Sequence, residues 1–184
     1  MSTPGSASIE IAPPLPPLVL AACIAAMVLG VLGLGVGLVQ VVGGLLGGFG
    51  ASMIAFSGDL SFVTIWPLIT TIVGLLISGL GAILSLVAAI TGLMGILKKK
   101  VGLLKWSAIA LVLFDVFCHL IWPLIGAAGG IYAQMEMPPD LFMTMAIGIV
   151  IGALITFVWS LVLTVLWAAI AVIAMRYKPE TTLV

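Results

Sequence analysis

Four apolar runs, each longer than the ~20 residues a helix needs to cross ~30 Å of hydrocarbon, constrain this chain more than any other feature. They cover residues 18–46, 62–97, 103–132 and 141–175. In lipid only a helix or a closed barrel satisfies every backbone group, and the period-two alternation of a membrane strand is absent. The expected fold is therefore all-α: an integral membrane four-helix (tetraspan) bundle, up-down-up-down, occupying residues 18–176. A Ser/Pro-rich tail, 1–17, precedes it, with Pro13, Pro14, Pro16 and Pro17 as a stiff lead-in. A short tail, 177–184, follows. The first tail lacks the basic region of a secretory signal, so the first run is expected to be retained as a span.

Composition agrees: 64% of the 184 residues are hydrophobic and 7% charged, against ~25% charged in soluble domains. Six basic and six acidic residues cancel, which argues against a nucleic-acid partner. Their distribution says more. Lys98, Lys99, Lys100 and Lys105 form one basic cluster and Arg176 with Lys178 the other. The positive-inside rule places both clusters in the cytoplasm. The N- and C-termini are then cytoplasmic, and the segments 47–61 and 133–140, which carry Asp59, Glu136 and Asp140, lie outside. The expected location is a plasma or inner membrane. Trp66, Trp106, Lys98, Lys99, Lys100 and Arg176 are the expected interface anchors.

The first run is dense in glycine. Gly33 with Gly37, Gly43 with Gly47 and Gly44 with Gly48 are small-xxx-small pairs, which let a second backbone approach closely where no hydrophobic drive exists between helices. Gly148 and Gly152 form a similar pair in the fourth run. Gln40, strongly polar within the first run, is expected to hydrogen-bond across to another helix. Cys23 and Cys118 both lie in apolar runs and read as small buried side chains.

One costly site stands out. Asp115 and His119 fall inside the third run, one helical turn apart on a shared face that Trp122 and Gly126 continue. A carboxylate at the bilayer centre costs roughly 2.5–3.5 kcal/mol on insertion scales, so it is expected to face the bundle with a partner. Counting ~1.5 Å per residue from Leu103, Asp115 lies ~18 Å and His119 ~24 Å into the span. Pro123, just beyond, is expected to loosen or kink the helix and free a carbonyl near the pair.

Two outer Met-x-Met pairs, Met135 with Met137 and Met143 with Met145, could offer thioethers to Cu(I). No His or Cys supports them, and the expectation is no metal. The terminal Thr182-Leu183-Val184 matches a C-terminal ligand of a cytoplasmic PDZ-type domain.

Val63-Thr64-Ile65-Trp66-Pro67 leading into Ser78-Gly79, together with the short inner link, resembles the membrane-spanning four-domain family of B-lymphocyte-type tetraspans. The resemblance implies a four-pass topology. That family commonly carries cysteines in its second outer loop, whereas 133–140 contains none, and no residue role is carried over.

Three functions compete. The first is a structural or accessory (scaffold or assembly) subunit that packs with other membrane chains or with itself. Its support is length: the runs span about 29–36 residues, or ~44–54 Å, and their apolar outer ends need a cover. The second is a proton- or ion-conducting channel or transporter subunit using Asp115 and His119. The third is ligation of haem or pigment by His119, with Asp115 orienting its ring. The single His, the missing zinc-ligand set and the missing phosphate loop argue against an enzyme. Partners are thus the lipid bilayer and a homo-oligomer or larger membrane complex, with no resident cofactor.

Overall fold

A computed structural model describes residues 14–55, 62–135 and 138–177. Their regular elements are all helices. The elements are α1 (Pro17–Ala55), α2 (Phe62–Lys98), α3 (Gly102–Phe114), a π-helical segment (Asp115–Ile121), α4 (Trp122–Ala133) and α5 (Pro139–Arg176). Four spans result, with α3, the π segment and α4 forming the third, and each is long and apolar enough to cross a membrane. The protein is membrane-embedded. Most of the N-terminal tail, Asp59, Glu136, Met137, Lys178 and Thr182-Leu183-Val184 lie outside the described residues.

The first helix extends beyond its membrane-spanning stretch, Pro17–Leu46. It runs through Gly47 and Gly48 to Ala55 rather than ending near residue 46. No proline interrupts it after Pro17, and a glycine weakens a helix by only about 1 kcal/mol. The expected turn region therefore begins helical. At its start Pro16 accepts hydrogen bonds from the Val19 and Leu20 amides, at 2.9 and 3.0 Å.

Neighbouring spans touch as the chain visits them: α1 packs most extensively on α2, α2 on α3, and α3 on α5, while α5 also reaches α1. The link between α2 and α3 explains one of these contacts. Lys99 adopts φ 53°, a left-handed turn that stops α2, and α3 starts three residues later at Gly102. So short a reversal leaves the two helices side by side.

The tightest packing is the seam between α1 and α2. On α1 the residues Cys23, Ala26, Gly30, Gly33, Gly37, Gln40 and Gly44 recur in alternating steps of three and four, the spacing of a left-handed coiled seam. A Cβ at Gly30 would stand 2.6 Å from both the Ala89 nitrogen and the Ser85 oxygen. One at Gly37 would meet the Ala82 methyl at 2.9 Å, and one at Gly44 the Leu75 side chain at 2.9 Å. From the other side, Gly92 faces the backbone of Cys23 and Met27. The pairing is antiparallel and brings backbone against backbone.

The buried core gathers at the end of the bundle that carries the lysines. Val19, Cys23 and Ala26 of α1, Ala88 of α2, Leu104, Ala108 and Leu111 of α3, and Trp167, Ile170 and Ala171 of α5 form it. Across this core the Thr91 and Ser107 hydroxyls hydrogen-bond at 2.8 Å, tying α2 to α3. Two hydroxyl protons serve this contact and the helices' own carbonyls: one hydroxyl donates across the core, and the other donates to its own helix, Thr91 to the Ala88 carbonyl or Ser107 to the Leu104 carbonyl. Above Asp115 the packing thins. Phe62 stacks on Trp66 and meets Tyr132 edge-on, and Gly129 leaves room for the Trp66 indole against α4.

Candidate functional site

Asp115 sits where the tight core ends and is only 4% exposed. Its Oδ1 is 2.9 Å from His119 Nδ1, and the Phe114 ring meets the imidazole edge-on at 5.2 Å. The other carboxylate oxygen, Oδ2, is buried and has no hydrogen-bond partner among the described residues. The sequence-predicted pair is thus brought together as a hydrogen-bonded unit with one acceptor left over. Such an orphan costs roughly 1–3 kcal/mol, more when charged.

The local backbone explains the pair. Pro123 has no N–H to give to the preceding turn, so the carbonyls of that turn lose a donor. The helix responds by widening to π geometry over Asp115–Ile121, which absorbs the ring without a break. A π turn closes i to i+5, and residues four apart then lie nearly in line. Asp115 and His119 consequently stack more directly than they would on an α-helix.

The same widening has a second effect. One extra residue in the turn rotates everything beyond it by about 100°. Trp122 and Gly126 were expected on the face of the pair, but neither borders the space beside it. Gly126 has no atom near its missing Cβ.

That space is a cavity of about 250 Å³ between all four spans. Asp115 and His119 border it from the third span, Gln40 from α1, Ser78 from α2 and Ser160 from α5. Ser78 donates to Gln40 Oε1 at 3.2 Å, the cross-helix bond expected of Gln40. The remaining walls are mainly apolar. The cavity's volume falls below the ~300 Å³ at which ordinary ligand pockets begin. His119 also has Nδ1 occupied by Asp115, so Nε2 is its one nitrogen open to a ligand.

The other singled-out residues are dispersed. Gly33 and Gly37 face α2, Gly44 faces Leu75, and Gly43, Gly148 and Gly152 look into open space. Gly47 and Gly48 lie on α1. Trp106 is exposed with Lys105 Nζ 4.8 Å from its ring centre, Trp66 packs on Gly129, and Lys98 and Arg176 end α2 and α5. Met135, Met143 and Met145 are exposed. Two residues apart on a helix, Met143 and Met145 point to opposite sides and do not converge. Among the described residues there is no group of three or more His, Cys, Asp or Glu that could hold a metal ion.

Sequence reasoning counted Gly30 and Ser85 among packing residues without pairing them, and passed over Ala82, Ala89, Gly92 and Gly95, which complete the α1–α2 seam. The signal was present as alternating three- and four-residue spacing of small side chains on both helices. It was masked by the glycines at 35, 43, 74 and 79, which face nothing within 4 Å. Most hydroxyls prove local: Thr70 and Thr71 bond back to the Pro67 carbonyl, Thr144 to that of Asp140 and Thr156 to that of Gly152.

Comparison with protein-family models, with curated proteins and with solved structures finds no match for this chain.

Proposed function

We propose that this protein is a structural or accessory subunit that assembles, through α5, with other membrane chains or with copies of itself. One contrast carries the reading. The small-residue face of α1 is filled by α2, whereas Gly148 and Gly152 on α5 are open. Only 6% of the most apolar stretch of α5 is buried, against 28% for α1. A second helix laid on Gly148 and Gly152 gains the same close contact that α2 gains on α1.

The orientation follows the charge distribution: the positive-inside rule puts the lysine link and Arg176, and with them both termini, in the cytoplasm of a plasma or inner membrane. Native mass spectrometry of protein extracted in mild detergent tests the assembly. A defined complex that falls apart in Gly148→Leu/Gly152→Leu is expected, and a wild-type chain that is solely monomeric refutes the proposal.

A second reading rests on the buried pair. Asp115 and His119, hydrogen-bonded beside a cavity shared by all spans, have the chemistry of an intramembrane proton relay. In proteoliposomes Asp115→Asn and His119→Ala are each expected to abolish proton flux. Flux retained in both removes this reading.

A further inference from the structure

A groove at the lysine-bearing end belongs neither to the pair nor to the α5 face. It encloses about 530 Å³ between the start of α3 and the end of α5. Lys99, Lys100 and Lys105 line it, together with Tyr177, and no acidic residue lines it among those described. Its remaining wall is apolar, with Leu103, Trp106 and Met175 all exposed at the lip.

Three properties of the groove point to one kind of occupant. The first is charge: Lys100 and Lys105 border one pocket, with Lys99 beside them. The second is the backbone, because Val101, which precedes α3, supplies no side-chain cap. The first amides of α3 thus have no side-chain acceptor at an end that already favours an anion. The third is the lip. Leu103, Trp106 and Met175 continue the apolar surface of the spans, so a molecule seated among the lysines can run its hydrocarbon along α3 and α5 without meeting water. Tryptophan beside lysine is the pairing suited to this depth of a bilayer.

We infer that this groove binds the phosphate headgroup of an anionic phospholipid drawn from the adjoining leaflet. Lys100 and Lys105 take the phosphate, and the acyl chains lie over Leu103, Trp106 and Met175. A free phosphate ion satisfies the lysines but leaves the apolar lip uncovered, which is why the lipid is the occupant. The site is independent of the assembly proposed above, since α5 contributes here through Ala174 and Met175 rather than through Gly148 and Gly152.

Native mass spectrometry of the full chain, given equal amounts of phosphatidylglycerol and phosphatidylcholine with the same acyl chains, tests the inference. Phosphatidylglycerol is expected to remain bound in preference at one site per chain. Lys100→Gln/Lys105→Gln should lower its occupancy on the order of thirtyfold, from about fivefold per lysine near an anionic surface. Lys98→Gln removes an equal charge outside the groove and should change little. Circular dichroism confirms that each variant is folded, and Lys100→Gln alone, with about a fivefold loss, serves if the double variant is not. Equal retention of the two lipids overturns the site, as does a Lys98→Gln effect as large as that of Lys100→Gln. Displacement of the lipid by millimolar inorganic phosphate overturns the lipid as occupant.

Discussion

Replacing Gly30 with alanine adds one methyl group at the narrowest point of the α1–α2 seam. The new Cβ would lie 2.6 Å from the Ala89 nitrogen and the Ser85 oxygen and 2.9 Å from the Ala89 methyl. Ordinary contact begins near 3.4 Å, and two of the obstructing atoms are backbone, which cannot swing aside. The helices must therefore separate by about 0.8 Å, a gap that forfeits a quarter to a half of each contact well of ~0.1–0.2 kcal/mol. Over some tens of atom pairs along the seam this amounts to about 2 kcal/mol, within the ~1–3 kcal/mol usual for overpacking. Gly35→Ala, five residues along the same helix, is the control because nothing lies within 4 Å of its Cβ site. It should be neutral or stabilise by about 0.5–1 kcal/mol through the better helix propensity of alanine. Unfolding in mixed detergent micelles with rising dodecyl sulfate, followed by circular dichroism, compares the two. Gly30→Ala as stable as Gly35→Ala would refute the backbone-to-backbone seam.

Ser107→Ala should cost about 0.6–1.7 kcal/mol in the same assay, the range for cross-helix hydrogen bonds in membranes, because the Thr91 hydroxyl still has the Ala88 carbonyl as an acceptor. Unchanged stability would show that the 2.8 Å contact contributes nothing. For the buried pair, His119→Ala leaves Asp115 without its hydrogen-bond partner and should destabilise by about 1–3 kcal/mol, the cost of an unsatisfied buried polar group. Asp115→Leu/His119→Leu should recover most of that loss; a double variant no better than the single one contradicts a mutually dependent, hydrogen-bonded pair. Pro123→Ala restores the missing N–H, so amide hydrogen exchange over Asp115–Ile121 should slow as the π segment tightens to α. Exchange that stays fast would place the cause of the widening elsewhere.

Much of the fold was legible in the sequence because hydrophobic length is a strong signal: a long apolar run has few alternatives to a spanning helix. The Asp115–His119 contact was legible for a related reason, since an expensive acid needs a partner and the sole imidazole stood four residues away. Helix ends were less so. Glycines at 47 and 48 signal a turn in water, but an apolar helix keeps its internal hydrogen bonds through them. Glycine identity also failed to separate Gly30 and Gly37, which touch α2, from Gly35 and Gly43, which do not. Only the partner helix decides that. The π segment was half legible, because Pro123 announced a disturbance whose form depends on how the preceding turn accommodates the ring. Its phase shift, which takes Trp122 and Gly126 away from the cavity, follows from that form alone.

The seam between the first two helices also governs what the molecule can do in time. With glycine backbones in contact along so much of their length, these two helices have almost no side chains whose rotamer changes would let one slide on the other, and they behave as a single beam. Any breathing of the central chamber then falls to the remaining two spans, of which α5 has the least buried surface to lose. The widened turn at Asp115 is the natural hinge in the other, so motion of the outer half would be felt first at the acid and the imidazole.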